Sequence, residues 1–305
     1  MAEILQKAMT SGSFDTVFTE VQHQESINQS SHCQMRLFYL SSIEDRAFDT
    51  TGLVKLLRRN LGHYFFSRGE ISQFEKDDDI PSIGLEAASE LRNLDYSRIF
   101  EEIMICYLLE DRLNAPKLLS RPEIISMSGK HEGISDCIHI LPLGETDTAI
   151  KFQMIFGSAN VQGFIEDALD KVFRKIAAIN NSKQDEKALV ESTIFSKRFD
   201  QPTEEYLAQL LTPTKGGTNH KRTVGDNAYG VFIGYSLGLT TENRSSDQFL
   251  SAIDIKMEQD IRHFAPLIRK KIEDTGLNQT PFYFFFIPLN DAEIEKNSIV
   301  EAILR

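Results

Sequence analysis

The chain has 305 residues, and its contents of 41% hydrophobic and 26% charged residues are ordinary for a folded globular protein. It contains no run of about 18 apolar residues, so we expect no membrane span. Its net charge of −12 argues against a protein that holds nucleic acid by itself, because neutralisation of phosphates by basic side chains supplies much of that affinity.

The N-terminal part of the sequence predicts a strand and a helix. Residues 34–40 alternate between apolar and polar as a strand does, and Thr50 and Thr51 precede leucines at helical spacing. The charged stretch 76–79 then interrupts the hydrophobic pattern. We therefore predict a boundary or an exposed loop near residues 72–81.

The rest of the sequence alternates between predicted helices and strands. Helices are expected at residues 85–94, 97–113 (amphipathic), 162–179, 185–195, 203–211, 246–275 (interrupted near Pro266) and 291–304, and strands at residues 137–143, 148–156, 229–235 and 280–288. This order predicts an α/β fold with a mixed sheet flanked by helices. We divide it into an N-terminal α/β extension at residues 1–80 and a main domain at residues 81–305, unless the two form one continuous compact unit.

Residues 133–169 have the pattern of a strand, a turn, a strand and a helix, with a single acid, Asp136, at the head of the first strand. This frame is typical of metal-dependent nucleases with a restriction-endonuclease-like core of the PD-(D/E)xK type. Such enzymes need carboxylate oxygens to hold a hard cation such as Mg²⁺, together with a lysine two residues beyond the second acid. The second strand here carries Ser158-Ala-Asn160 in place of Glu-x-Lys. The sequence therefore predicts the frame of a phosphodiesterase whose catalytic pair is replaced.

The side chains of the second strand should alternate between two faces. Ser158 and Asn160 then share one face, and Lys151 lies on the other. Lys151 cannot replace a lysine at position 160 unless a bulge near Gly157 changes the register.

Glu102, on the helix predicted at residues 97–113, is the candidate for a further acid of this site. Three plainer interpretations stay open. In these interpretations Asp136 is a turn or strand-entry residue, Glu102 is a solvated helix acid, and His139 is a packed core histidine.

The three cysteines, Cys33, Cys106 and Cys137, are widely scattered, and no Cys-x-x-Cys motif occurs. We therefore expect free thiols in a reducing compartment and no thiolate zinc site. The first residues lack the basic and apolar pattern of an export signal. Together these features predict a cytoplasmic protein.

Basic residues form few clusters in this acidic chain. Lys215, Lys221 and Arg222 are candidate DNA contacts, although a solvated surface also explains such a cluster. If the chain does contact DNA, we expect a local basic patch to do so while a partner supplies most of the affinity.

Five segments carry a resemblance to a known family: Leu53–Ser67, Glu101–Leu119, Gly133–His139, Phe156–Gly157 and Phe282–Asp291. They are similar to the HamA family, the nuclease-like subunits of Hachiman anti-phage defence systems, and to the related AbpA proteins. The resemblance runs from about residue 14 to the C-terminus.

The resemblance implies a Mg²⁺-dependent DNA nuclease that acts beside a superfamily 2 helicase, HamB, with DNA bound through the complex. Glu102 and Asp136 match the helix acid and the strand acid, and would hold the metal. Ser158 and Asn160 fall on the positions of the family's Glu and Lys.

Three explanations of this replacement stay open. The site is degenerate, and the subunit is a pseudonuclease that binds and regulates the helicase or DNA. Alternatively the catalytic groups have migrated, with Gln162, Glu166 and Lys151 as candidates. The third explanation is an engineered inactivation.

Overall fold

The computed structural model describes most of the chain, namely residues 5–9, 12–25, 27, 33–93, 97–145, 149–194, 199, 201–211, 222–239 and 246–305. The strands are β1 (Phe18–Val21), β2 (Cys33–Leu40), β3 (Ile43–Glu44), β4 (Ala47–Phe48), β5 (Lys117–Ser120), β6 (Cys137–Glu145), β7 (Ala149–Gln162), β8 (Arg222–Ser236) and β9 (Phe282–Leu289). The helices are α1 (Phe14–Val17), α2 (Thr51–Phe65), α3 (Arg68–Lys76), α4 (Ser82–Asn93), α5 (Ile99–Leu113), α6 (Arg121–Ser128), α7 (Ile165–Ile194), α8 (Gln201–Leu211), α9 (Ser246–Asp274) and α10 (Ala292–Leu304).

The main sheet has the strand order β1-β2-β9-β8-β7-β6-β5 over the described residues. Its centre is parallel, since β7, β8, β9 and β2 run in one direction. The pairs β1–β2, β5–β6 and β6–β7 are antiparallel. Every residue of β9 is buried, as expected for a central parallel strand that is covered on both faces. The predicted mixed sheet flanked by helices is confirmed.

Helices α5 and α7 cover opposite faces of this sheet. Tyr229 and Gly230 are neighbours in β8, so their side-chain positions point to opposite faces. The hydroxyl of Tyr229 donates to Asn180 of α7 at 3.3 Å. A Cβ atom at Gly230 would lie 2.6 Å from the Leu109 side chain of α5. The buried residues of β7 and β8 therefore lie between these two helices.

The first 80 residues contribute to the common sheet. Strand β2 pairs in parallel with β9, which lies close to the C-terminus of the chain. The N-terminal extension thus shares its strands with the main domain, and the boundary at residue 80 stays a prediction. The restriction-endonuclease-like core also stays a prediction.

Three predicted helices, at residues 97–113, 162–179 and 185–195, differ from what the pattern indicated. Helix α5 is not amphipathic, because every residue from Ile99 to Glu110 is buried. Residues 165–194 form one helix instead of two. The apolar stripe of this helix is interrupted by Ser182 and Glu186, which contact the segment before β6: Ser182 Oγ donates to Gly133 O at 3.0 Å, and Glu186 Oε1 accepts from Ser135 N at 3.1 Å.

Several shorter elements were not predicted. Helix α3 lies where a loop or boundary was expected, and it begins with a capping box between Ser67 and Glu70.

Helix α9 continues through Pro266, where an interruption was predicted. Ile261 and Ile268, on either side of this proline, are both buried in the core. In the described part of the chain, no helix is both long and apolar enough to cross a membrane.

Candidate functional site

One stripe of helix α5 carries three side chains at a spacing of four residues: Glu102, Cys106 and Glu110. All three are buried, and a spacing of four residues places them on one helix face. Glu110 accepts the backbone N–H of Lys117 at 2.6 Å, which fixes the stripe against β5. The stripe brings Glu102 towards the head of β6, where Asp136 lies.

The backbone holds Asp136 at the end of the β6–β7 ladder. Its N–H donates to Gly157 O at 2.9 Å, and its carboxylate accepts the N–H of Ala159 at 2.8 Å. Cys137 pairs with Gly157 in the antiparallel register, so Asp136 lies opposite Ser158. Partners in such a ladder point to the same face, and the structure therefore places Asp136 beside position 158.

Three basic side chains surround the buried carboxylate of Asp136. Lys175 of α7 contacts Oδ1 directly. Arg121, at the start of α6, places Nη1 3.7 Å from Oδ1, and Arg98, just before α5, places Nη2 3.5 Å from Oδ2. Arg98 also donates to Ala159 O at 2.9 Å, so it spans from α5 to β7.

Glu102 forms the second acid of the site. Its Oε2 accepts the hydroxyl of Tyr64 at 2.7 Å, and its Oε1 lies 3.2 Å from Nε of Arg121. Arg121 therefore links Glu102 to Asp136. Burial and the negative charge of Asp136 raise the pKa of Glu102 to about 7. Burial likewise raises the pKa of the adjacent Glu101 to about 7.

Asp136 and Lys175 keep opposite charges despite their burial. Burial raises the pKa of Asp136, but Lys175, Arg98 and Arg121 outweigh this effect and hold it below its ordinary value. Burial lowers the pKa of Lys175 to about 8, against the attraction of Asp136. At neutral pH Asp136 is thus ionised, and Lys175 is mostly protonated.

Ser158 and Asn160 face this centre from β7 with unpaired oxygens. Ser158 is fully buried, and neither its Oγ nor the Asn160 Oδ1 has a hydrogen-bond partner among the described residues. A buried polar atom without a partner costs free energy. These oxygens lie where the resemblance expects an acid and a lysine.

The donor set does not fit the expected Mg²⁺. This ion takes an octahedron of oxygen ligands and relies on anionic carboxylates. Both oxygens of Asp136 already face basic side chains, and Glu102 contacts Tyr64 and Arg121. Arg98, Arg121 and Lys175 thus already pair with both acids. A divalent cation would have to displace these cations and would be repelled by them.

In the described structure, none of the groups proposed to have migrated forms a hydrogen bond or ion pair with Asp136 or Glu102. Lys151 is exposed, and about 30 Å of extended strand separates it from position 160. Gln162 accepts from Lys171 Nζ at 2.8 Å, and Glu166 lies 3.8 Å from His263 Nε2.

Of the candidate DNA contacts, Lys215 and Lys221 lie outside the described residues, and Arg222 is the first residue of β8.

The sequence interpretation did not identify Arg98, Arg121 or Lys175. A signal was available only for Lys175. It lies three residues after Val172 and four before Ile179, both fully or almost fully buried, so it occupies the apolar stripe of α7. A lysine in such a stripe needs a buried partner. The arginines stand at helix ends, where charged residues are common.

Comparison with known proteins gives one result. The family model HamA matches residues 15–303, which is nearly the whole chain. No curated protein and no solved structure matches the chain.

Proposed function

Because the chain belongs to the HamA family, and is thus a component of Hachiman anti-phage defence, we propose that it is a DNA-binding subunit that does not cleave DNA. In this proposal the chain keeps a restriction-endonuclease-like core and works beside a superfamily 2 helicase. The main observation that supports this proposal is that three basic side chains surround the carboxylate of Asp136.

Cleavage would need groups that the site lacks. Serine at position 158 supplies no anionic oxygen for a metal ion, and asparagine at position 160 carries no charge for the developing phosphorane. The loss of one preorganised electrostatic group typically costs a factor of about 100–1,000 in rate. The loss of both supports a subunit without useful nuclease activity.

The charge of the centre suits a phosphate group instead. Asp136 is ionised, whereas Glu102 has a pKa of about 7 and is only partly ionised at neutral pH. Arg98, Arg121 and Lys175 outnumber the two carboxylates that they contact directly. Arg98 is 33% exposed along its side chain, so it can reach a ligand from solvent. Arginine binds phosphate oxygens through two parallel hydrogen bonds.

A second candidate function is nuclease activity with Lys175 in the role of the missing lysine. The observation that favours it is the contact between Lys175 and Asp136. A lysine supplied from the following helix would replace one of the two absent groups. The absent acid at position 158 would remain unreplaced.

Plasmid degradation separates the two candidates. The purified complex with its helicase is incubated with ATP and Mg²⁺, using the wild type, Asp136→Ala and Lys175→Met. We expect all three to leave the plasmid equally intact. Degradation by the wild type that disappears in both variants would refute the non-cleaving subunit and establish the second candidate. The double variant Ser158→Glu/Asn160→Lys shows whether restoring the pair creates activity.

DNA affinity tests the binding role directly. Arg98→Ala in the complex should weaken binding to a fluorescent duplex by about tenfold, which is the loss of one good phosphate contact. The slope of the logarithm of the affinity against the logarithm of the salt concentration should become shallower by about one. Arg262→Ala is the control, since this arginine of α9 is 64% exposed and pairs with Glu25 and Glu258, which are not part of the Asp136 centre. Equal affinity of both variants and the wild type would contradict a phosphate contact at this centre.

A further inference from the structure

The side chains of Cys106, Cys137 and His139 meet in the core between α5 and β6. One ligand atom from each lies within 4.8 Å of the others, and all three residues are fully buried. Cys106 follows Glu102 on the buried stripe of α5, and Cys137 directly follows Asp136. This cluster is thus next to the Asp136 centre but shares no residue with it.

The fold makes room for this cluster. Cys137 and His139 are two residues apart on β6 and point to the same face, towards α5. Opposite Cys137 stands Gly157, where a Cβ atom would lie 2.4 Å from the Cys137 Sγ. Any side chain at this position would therefore occupy the space of the sulfur atom.

One ring nitrogen of His139 is hydrogen-bonded, and the other has no hydrogen-bond partner among the described residues. Its Nδ1 lies 2.8 Å from Ala115 O, which accepts a hydrogen bond from it. Its Nε2 is buried and has no hydrogen-bond partner among the described residues. Burial lowers the pKa of His139 to about 3, so the ring is neutral. With the proton on Nδ1, Nε2 presents a lone pair, and a carbonyl that fixes the other nitrogen in this way is typical of metal-bound histidines.

We propose that Cys106, Cys137 and His139 bind one thiophilic transition-metal ion, of the class of Zn²⁺ and Cu⁺. Thiolate and imidazole are the ligands that these ions prefer, whereas Mg²⁺ and Ca²⁺ take oxygen. On binding, each cysteine loses its proton and forms a metal–sulfur bond, so two protons are released. Two thiolates, a neutral imidazole and Zn²⁺ form a neutral unit, which suits a buried site.

The metal would connect two parts of the fold that carry the site acids. Cys106 is four residues from Glu102 on α5, and Cys137 adjoins Asp136 on β6. A metal bridge would hold this helix against this strand. This inference does not depend on the proposed function, since it concerns neither DNA binding nor cleavage.

Without metal, the two thiols are hydrogen-bonded to each other, and burial is the main cause that raises the pKa of both. The test therefore compares a metal site with a pair of packed thiols. The full chain is unfolded, stripped of metal with a chelator under reducing conditions, and refolded anaerobically with Zn²⁺, Cu⁺ or no metal. Bound metal is then measured by mass spectrometry for the wild type, Cys137→Ser and Cys33→Ser.

We expect about one ion per chain for the wild type. Cys33→Ser is the matched control, because this half-buried cysteine lies on β2 away from the cluster. It should bind as much metal as the wild type, and Cys137→Ser less than about a tenth of that amount. The two metal arms show which ion is preferred. If Cys137→Ser does not fold, Co²⁺ in the wild type should still give a sulfur-to-cobalt charge-transfer band.

Three results would overturn the proposal. The wild type could bind less than about a tenth of an ion per chain in both metal arms. It could bind Co²⁺ without the charge-transfer band. Finally, Cys106 and Cys137 could be joined by a disulfide in the freshly purified protein, with no metal present, as shown by mass spectrometry of its peptides.

Discussion

The stripe of Glu102, Cys106 and Glu110 on α5 contributes to two buried charged centres, one around Lys117 and one around Asp136. At one end, Glu110 supports the Lys117 centre, in which a fully buried lysine donates to three backbone carbonyls. These are His63 O at 2.8 Å, Phe66 O at 3.0 Å and Tyr64 O at 3.1 Å, at the C-terminal end of α2. Glu123 lies 3.2 Å from the same ammonium group. All three hydrogens of this ammonium have acceptors.

The Asp136 centre, at the other end of the stripe, is not balanced in this way. Three basic groups contact only two acids directly there, and Ser158 Oγ and Asn160 Oδ1 have no hydrogen-bond partner in the described structure. Buried polar atoms without a partner need an explanation, and a role in binding is one such explanation. The comparison thus separates a centre whose groups are satisfied from one with unpaired oxygens, which supports the proposed binding role of the Asp136 centre.

The largest expected effect is on the Lys117 centre. Lys117→Met should lower the free energy of unfolding by about 3–5 kcal/mol, because Glu123 and the carbonyls at the end of α2 lose their buried cation. Chemical denaturation measures this loss. Lys130→Met is the control, since Lys130 forms only an exposed pair with Asp185 and should stay within about 0.5 kcal/mol. Similar losses for the two variants would contradict a structural role of Lys117.

A smaller loss is expected for the Asp136 centre. Asp136→Asn keeps an acceptor for the Ala159 N–H but removes the carboxylate charge that three basic groups face; Arg121 alone keeps its contact with Glu102. We expect a loss of about 2–3 kcal/mol, because Arg98 and Lys175 retain some contact with water.

A double-mutant cycle tests the origin of that loss. Lys175→Met should be less destabilising in the Asp136→Asn background than in the wild type, since removal of one surplus charge relieves repulsion. Additive effects would show that Lys175 and Asp136 do not interact in solution.

The sequence contained the signals for most of the fold. The strands β8 and β9 and the helix α10 were predicted, because a buried apolar run or an apolar helical stripe is visible along the chain. Helices α3 and α6 could also have been found, since each begins with Ser-x-x-Glu, a capping-box signature: Ser67 with Glu70, and Ser120 with Glu123. Strand β5 could not, because four residues at a sheet edge acquire their conformation from pairing with β6.

The Asp136 centre could be predicted from the sequence only in part. The strand–turn–strand frame singled out Asp136 and Glu102, but the cations around them come from separate elements. Their convergence depends on how α5, α6 and α7 pack, which no local pattern encodes. The same holds for Cys106 and Cys137, whose separation along the chain argued against a shared site and whose proximity follows from α5 lying over β6.

The Asp136 centre should also make stability depend on pH. The pKa of Glu102 rises from 4.5 to about 7 in the folded state. Between these values the folded protein holds a proton that the unfolded chain has lost, so stability falls as pH rises from about 4.5 to 7. The contribution of Glu102 to this slope should reach about 1 kcal/mol per pH unit. Glu102→Gln should remove this contribution and leave that of Glu101, whose pKa is also about 7, so the slope measured by denaturation at several pH values should fall by about half. Glu90→Gln on the exposed face of α4 should leave the slope unchanged. An unchanged slope in Glu102→Gln would assign the effect to other groups.

The smallest expected effect is the change in the free energy of unfolding when either of two fully buried serines, one from each centre, is replaced. In the Lys117 centre, Ser120 Oγ donates to Glu123 at 2.9 Å, whereas Ser158 Oγ in the Asp136 centre has no partner in the described residues. Ser120→Ala should cost about 1–2 kcal/mol, because Glu123 loses a hydrogen bond. Ser158→Ala should be neutral or stabilise by up to about 1 kcal/mol, because it removes an unsatisfied buried hydroxyl. Denaturation curves of the two variants give the difference. A loss at Ser158 equal to that at Ser120 would mean that its hydroxyl is bonded in solution, and the contrast between the centres would fail at this position.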